Sequence, residues 1–263
     1  MSGLEAQLTE LGVLFALILT RVGAVVATAP VLSDATLPMR VKGLMAVALA
    51  AMVTPVTLQT MTTPLPSTNS LVELGTLAAS EAAVGLALGL GLMVVLAGVQ
   101  LCGQIVGQMS GMALAEGADP VFGDTASVFG QIYYLVTTAV FVAAGGLSLL
   151  LEGLLETLRL APPGSGYSIQ ELAHGFIGLL GMGFELGIRA SAPLLLALFL
   201  ATLVIGLISR TLPQLNTMAI GFGINAILTL GVMMASMGAV AYAFQGPLTS
   251  VITSLASSVV GGY

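Results

Sequence analysis

Charged residues, cysteine and histidine are scarce in this chain. Of its 263 residues only 7% are charged, six of them basic and twelve acidic, and there is one cysteine and one histidine. A single cysteine excludes a disulfide framework and a cysteine-based metal site, and one histidine cannot supply a histidine-based triad or a His-Glu-x-x-His zinc motif. The excess of acid excludes a basic nucleic-acid-binding surface. We therefore expect no enzyme activity, no cofactor or metal ion and no nucleic-acid partner.

Apolar residues, by contrast, dominate the chain. They make up 57% of it, and the mean hydropathy of +1.08 leaves too little polar surface to cover a soluble globule. They form six runs, separated by breaks rich in turn-forming residues. The runs are Leu11–Leu32, Gly43–Met61, Leu71–Val106, Ala126–Leu158, Ile169–Ser209 and Thr217–Phe244. The sequence predicts an all-α membrane protein with about six long, partly broken helical regions.

Several runs are too long for a simple membrane crossing. As one helix, Ala126–Leu158 would be about 50 Å long, whereas the hydrocarbon core of a bilayer is roughly 30 Å thick. The third and fifth runs are longer still and contain glycine clusters and charged residues. Two explanations are open: the helices are broken into pairs, or they extend beyond a flat bilayer and are covered by other protein.

Charges inside the apolar runs need partners. Arg21 falls near the middle of the first run, where a lone cation would cost at least ~2.5 kcal/mol. A structural ion pair or a backbone-carbonyl clamp between helices is the favoured interpretation, and a role in conduction is the alternative. Glu185 and Arg189 have i, i+4 spacing and can neutralise each other on one helix. Four acids near the ends of runs are expected to be interfacial or subunit-facing: Glu73, Glu81, Glu152 and Glu156.

Glycine is abundant, with 33 residues, and part of it is regularly spaced. Gly85 and Gly89 are four residues apart, as are Gly103, Gly107 and Gly111. This spacing lets two helix backbones approach closely, so we expect tight helix packing at these positions.

The central stretch GQIVGQMSGMALAEGADPVFG, residues 103–123, is unlike the rest of the chain. It contains five glycines, two glutamines, two methionines and two acids, but no cation. Such a composition is poor for a membrane span and unusual for a soluble loop.

Four stretches, in this order, resemble the FliR family of flagellar type III export-gate subunits. They are TRVGAVVATAPVLSDATLPMRVKGLMAVALA, the central GQIVGQMSGMALAEGADP, FVAAGGLSLLLEGLLETLRLAPPG and APLLLALFLATLVIGLISRTLPQLNTMAIGF. The resemblance covers nearly the whole chain. Two positions depart from the family pattern: Leu147 stands where the family often has His, and Gly223 where it often has Pro.

The resemblance implies an assembly. In this family one copy joins FliP and FliQ subunits in a helical cone, the entry channel for unfolded flagellar proteins in the inner membrane at the flagellar basal body. FlhB and FlhA act with it, and much of the cone is raised towards the periplasmic side and coated by neighbours as well as by membrane lipid. A FliP-like part, about residues 1–165, would be followed by a FliQ-like part, about residues 166–263.

The resemblance also assigns roles to residues. In the family the central loop projects into the pore and helps to plug it, so the plug would here comprise Gln108, Met109, Ser110, Gly111, Met112, Glu116, Gly117, Asp119 and Pro120. Glycine gives the backbone conformational freedom, and the flexible methionine side chain packs against varied surfaces. Both properties suit a segment that export substrates push aside. Structural or assembly roles are expected for Arg21, Pro30, Pro38, Arg40, Glu185, Arg189, Arg210, Pro213 and Asn216.

Two alternatives stay open on the sequence alone. One is the injectisome homologue of the same family, which would share fold and pore chemistry. The other is a self-contained secondary transporter built on broken helices, although the sequence shows no internal repeat.

Overall fold

The regular structure of the described part of this chain is helical. The computed structural model describes residues 2–34, 36–60, 70–110, 128–165, 169–211, 221 and 223–235, and within these ranges every regular element is a helix. The helices are α1 Ser2–Thr28, α2 Met39–Thr60, α3 Leu71–Met109, α4 Val128–Ala143, α5 Gly146–Leu160, α6 Ile169–Thr211 and α7 Gly223–Ala235.

Among the described residues, four helical stretches are long and apolar enough to cross a membrane. They are Leu8–Thr28, Met39–Gln59, Leu71–Met109 and Ser191–Thr211, with mean hydropathies from 1.8 to 2.5. The pair α4 and α5 passes the same test when its two helices are taken together. The prediction of an all-α membrane protein is confirmed.

The two longest helices are unbroken. α3 has 39 residues and α6 has 43, so at 1.5 Å per residue they are about 58 and about 64 Å long. Neither the glycine clusters nor Pro193, which lies inside α6, interrupts them. For these two runs the first explanation, helices broken into pairs, is therefore wrong, and the second, helices that extend beyond a flat bilayer and are covered by other protein, stays a prediction.

The fourth apolar run is broken instead. α4 ends at Ala143 and α5 begins at Gly146, and Gly145 between them has a φ of 78°. This left-handed conformation is open to glycine and ends a helix. The single helix of about 50 Å considered for this run does not form.

The first of two compact units comprises, among the described residues, 2–34, 36–60, 70–94, 145–165 and 169–180. Its core includes the α1 face made by Leu14, Ile18 and Val22, which recur at helical spacing, together with Val84 and Leu88 of α3. α1 contacts α2, and α2 contacts α5.

The second unit comprises, among the described residues, 95–110, 128–144, 181–211, 221 and 223–235. Its buried side chains include Leu96, Val99, Phe141, Leu194 and Leu198. The two units interleave along the chain, and the boundary near residue 165 between a FliP-like and a FliQ-like part stays a prediction.

Candidate functional site

A buried ion pair is the best-defined polar site of the first unit. Arg21 of α1 and Glu81 of α3 are both 0% exposed. Nε and Nη2 of Arg21 each lie 2.6 Å from Oε2 of Glu81. Charge-assisted hydrogen bonds of this length are strong. The structure thus confirms that Arg21 is held by an ion pair between helices.

The same two side chains bind the backbone of the turn that follows α5. Nη2 of Arg21 donates to the carbonyl oxygen of Ala161 at 3.1 Å, and the N–H of Gly164 donates to Oε1 of Glu81 at 2.9 Å. Gly164 has a φ of 86°, which glycine adopts without steric penalty. The carbonyl clamp considered for Arg21 is therefore present beside the ion pair, and three segments distant in sequence meet at one site.

The prediction for Glu81 was wrong. We expected an interfacial or subunit-facing acid, but this carboxylate is buried because it neutralises Arg21. The clue was available in the sequence, since both residues lie inside apolar runs and carry opposite charges. Three other acids, Glu73, Glu152 and Glu156, are exposed.

Glycines bring α3 close to its neighbours at several points. A Cβ on Gly85 would collide with the carbonyl oxygen of Arg21, and a Cβ on Gly89 would collide with the hydroxyl of Thr28. In the second unit, a Cβ on Gly103 would lie 2.9 Å from Cα of Gly130 on α4. The expected close approach of helices is confirmed at these three glycines, whereas Gly111 lies outside the described residues.

Three of the expected structural residues lie between the end of α1 and the first turn of α2. Pro30 is buried, whereas Pro38 and Arg40 are exposed. The carbonyl of Pro38 accepts the N–H of Val41 at 2.9 Å at the start of α2. Nζ of Lys42 donates to the carbonyl oxygen of Ser33 at 2.8 Å, which ties α2 back to the turn.

Asp34, in this same turn, has a lowered pKa. Its carboxylate accepts the backbone N–H of Thr36 at 2.8 Å, and the Thr36 hydroxyl and the charge of Lys42 favour the ionised form further. These interactions contribute stability to the turn above the ordinary pKa of an aspartate and lose it as the pH falls through the lowered value.

The end of α3 carries the first residues of the predicted plug. Gln108 and Met109 are exposed, and Ser110 is buried with its hydroxyl donating to the carbonyl oxygen of Gly107 at 2.7 Å. The other predicted plug residues lie outside the described residues: Gly111, Met112, Glu116, Gly117, Asp119 and Pro120.

The candidates on α6 are surface residues. Glu185 and Arg189 form the predicted i, i+4 ion pair at 2.5 Å, with side chains 60% and 70% exposed. Arg210 is exposed in the last turn, where a cation is favourable to the helix dipole. Pro213 and Asn216 lie outside the described residues.

These features differ in what they can do. The Arg21 site is closed to solvent and holds helices together, whereas the end of α3 is accessible and can contact another molecule. In the ranges that the structure describes, no three His, Cys, Asp or Glu side chains are placed to share a metal ion.

Comparisons with known proteins give one consistent result. The family described as "Bacterial export proteins, family 1" matches residues 13–251. The chain is similar to flagellar biosynthetic protein FliR of Escherichia coli strain K12, with 29% identity over 92% of this chain and 90% of that protein. It is similar to FliR of Bacillus subtilis strain 168, with 26% identity over 62% and 64%. It is also similar to the secretion system apparatus protein SsaT of Salmonella typhimurium, with 24% identity over 61% and 62%.

Proposed function

Because this chain belongs to the bacterial export proteins, family 1, and within it to the FliR family, we propose that it is one subunit of the flagellar export gate. It is an inner-membrane component of type III protein export. In the proposed gate, one copy assembles with FliP and FliQ into the entry channel for unfolded flagellar proteins, in contact with FlhB and FlhA. The assembly belongs to the flagellar basal body and is raised towards the periplasmic side.

The observation that carries this proposal is the length of α6 together with its exposed apolar side chains. Phe184 is 53% exposed and Leu207 is 66% exposed; both lie on the part of α6 in the second unit, about 35 Å apart along the helix. A hydrocarbon layer roughly 30 Å thick cannot cover this distance along a helix near the membrane normal. Apolar surface beyond the lipid has to be covered by protein, as in a multi-subunit channel.

The proposed role of the central stretch follows from its position after α3. The helix stops at Met109, Ser110 is fixed to its last turn, and the sequence then becomes rich in glycine and free of cations. A plug of this kind fills the lumen without fixed ion pairs, so a passing chain can displace it.

Deleting residues 110–117 tests the plug. We expect the assembled gate to leak ions, measured as conductance of the complex in planar bilayers or as ion influx into cells. The matched control deletes the eight residues 62–69 from the break before α3, which should leave the assembled gate closed. Unchanged conductance of the 110–117 deletion, in a complex of normal composition, would contradict the plug role.

Arg210 tests the assembly role. Arg210→Ala removes the cation from the last turn of α6 and should reduce co-purification of FliP and FliQ with this chain while ion selectivity stays the same. Arg159→Ala is the control, because it removes an exposed cation from the last turn of α5 that has no expected assembly role, and the complex should stay intact. If the Arg210→Ala complex had normal composition but altered export, Arg210 would act in transport and not in assembly.

The injectisome homologue is the second candidate, because the chain is also similar to the secretion system apparatus protein SsaT. A flagellated strain that lacks its own FliR distinguishes the two. If the chain restores swimming there, together with its own FliP and FliQ partners, the flagellar assignment stands. Normal assembly of the gate without flagellar export would favour the second candidate.

A further inference from the structure

Three glutamines lie on one side of α3 near its end. Gln100, Gln104 and Gln108 are each four residues apart, a spacing that places them on one helix face. We call them the glutamine row. α3 is otherwise strongly apolar, with a mean hydropathy of 2.4, so three polar side chains in a row on this helix call for an explanation.

The amides of the row are available to another molecule. Gln100 and Gln104 are half-buried and Gln108 is exposed. Across the described part of the chain none of these three side chains takes part in a hydrogen bond. An amide without a partner is costly in hydrocarbon, so the row has to face water or polar groups of a binding partner, and not lipid.

Helix α4 fixes the position of the middle glutamine. A Cβ on Gly130 would lie 2.8 Å from Cγ of Gln104, so the stem of Gln104 packs directly against this glycine. On the neighbouring side of α3, three apolar side chains are exposed by 39% to 46%: Leu101, Ile105 and Met109. The accessible surface of α3 therefore combines uncharged hydrogen-bonding groups with apolar ones.

We propose that the glutamine row lines the export path and hydrogen-bonds the backbone of the unfolded polypeptide in transit, an inference that rests on the proposed function. A side-chain amide offers both a donor and an acceptor, as a peptide group does, and it carries no charge. It can therefore bind the backbone of any sequence without selecting for acidic or basic segments. The row ends at Gln108, which is also the first residue of the proposed plug, so the row is continuous with the plug in the sequence.

Site-specific photocrosslinking in the assembled gate tests the placement. A photoreactive amino acid is introduced at position 104 or 108, with an export substrate stalled by a folded domain at its end. Position 196 is the control, because Leu196 is 61% exposed on α6 and outside the proposed path. We expect crosslinks to the stalled substrate from 104 and 108, and none from 196.

The outcomes separate this inference from the proposed function. Crosslinks to the substrate from positions 112–117, with none from 104 and 108, would refute the proposed contact of the glutamine row with the substrate. They would still be consistent with the proposed export gate. Crosslinks from the row to a neighbouring subunit, and not to the substrate, would also overturn it. No substrate crosslink from any of these positions would count against the proposed function itself.

Paired substitutions test the chemistry. Gln104→Met and Gln108→Met together keep side-chain length and helix propensity but remove both amides. We expect substrate export to slow by about fivefold or more, since a net hydrogen bond is worth roughly that factor, while the complex is recovered in normal amount. Leu101→Met is the control and should export normally. The proposal would be refuted if the double variant exported substrate at the wild-type rate. It would also be refuted if the double variant failed to assemble the complex.

Discussion

At the scale of single residues, the Arg21–Glu81 pair is the feature most sensitive to change. Both groups are fully buried, and each has a second hydrogen bond to the turn after α5. Burial of two charges is expensive, and the cost is repaid only when the geometry is good and the remaining polar atoms are satisfied. Loss of either partner leaves the other as a buried charge without compensation.

Arg21→Met should therefore destabilise the protein strongly. Breaking a buried pair costs about 3–5 kcal/mol, because the Glu81 carboxylate stays buried without its cation. The change would be measured as lost resistance of the purified export complex to SDS titration in detergent micelles.

The double variant Arg21→Met with Glu81→Met identifies the cause. It removes both charges and fills the site with apolar side chains, so it should recover most of the lost stability. If the double variant were as unstable as Arg21→Met, the damage would come from lost packing and not from an unpaired charge.

At the scale of helices, the packing of α1 on α3 depends on two glycines. Cβ atoms at Gly85 and Gly89 would meet the backbone of Arg21 and the side chain of Thr28. Gly85→Ala and Gly89→Ala should each cost about 1–3 kcal/mol, as overpacking does, and the same SDS titration would measure it.

Gly75, on the same helix, provides the control for these substitutions. It has open space where a Cβ would be added, so Gly75→Ala should be neutral or stabilising by up to ~1 kcal/mol through helix propensity. Equal effects of Gly75→Ala and Gly85→Ala would show that close packing of α1 and α3 is not the cause.

The helices also show what the sequence could and could not predict. Apolar runs and their breaks predicted the helical class, because hydropathy and turn chemistry are local properties. Gly145 ends α4, whereas the glycines of α3 do not interrupt that helix, and only the backbone conformation distinguishes them. The need of Arg21 for a partner followed from burial cost alone, but its partner Glu81, 60 residues away, is set by the tertiary structure.

At the scale of the whole molecule, exposed apolar surface is the dominant property. Two segments that are apolar enough to span a membrane, Met39–Gln59 of α2 and Ser191–Thr211 at the end of α6, are mostly exposed. Only 22% of the first and 17% of the second is buried within the chain. The exposed side chains along α6 extend further than the hydrocarbon core is thick. Large exposed apolar surfaces mark sites of contact with membranes or other proteins, and on the proposed function the part beyond the lipid is covered by neighbouring subunits.

The chain should therefore depend on partner subunits for its stability. Expressed alone, it should be recovered as aggregate or be degraded, whereas co-expression with its FliP and FliQ partners should give a soluble complex in detergent that contains one copy of this chain. Size-exclusion chromatography with light scattering measures both outcomes, and native mass spectrometry counts the copies. The control co-expresses an unrelated membrane protein, which should not rescue the chain. A stable, lipid-embedded monomer would contradict the prediction, because the apolar surface along α6 would then be covered without other protein.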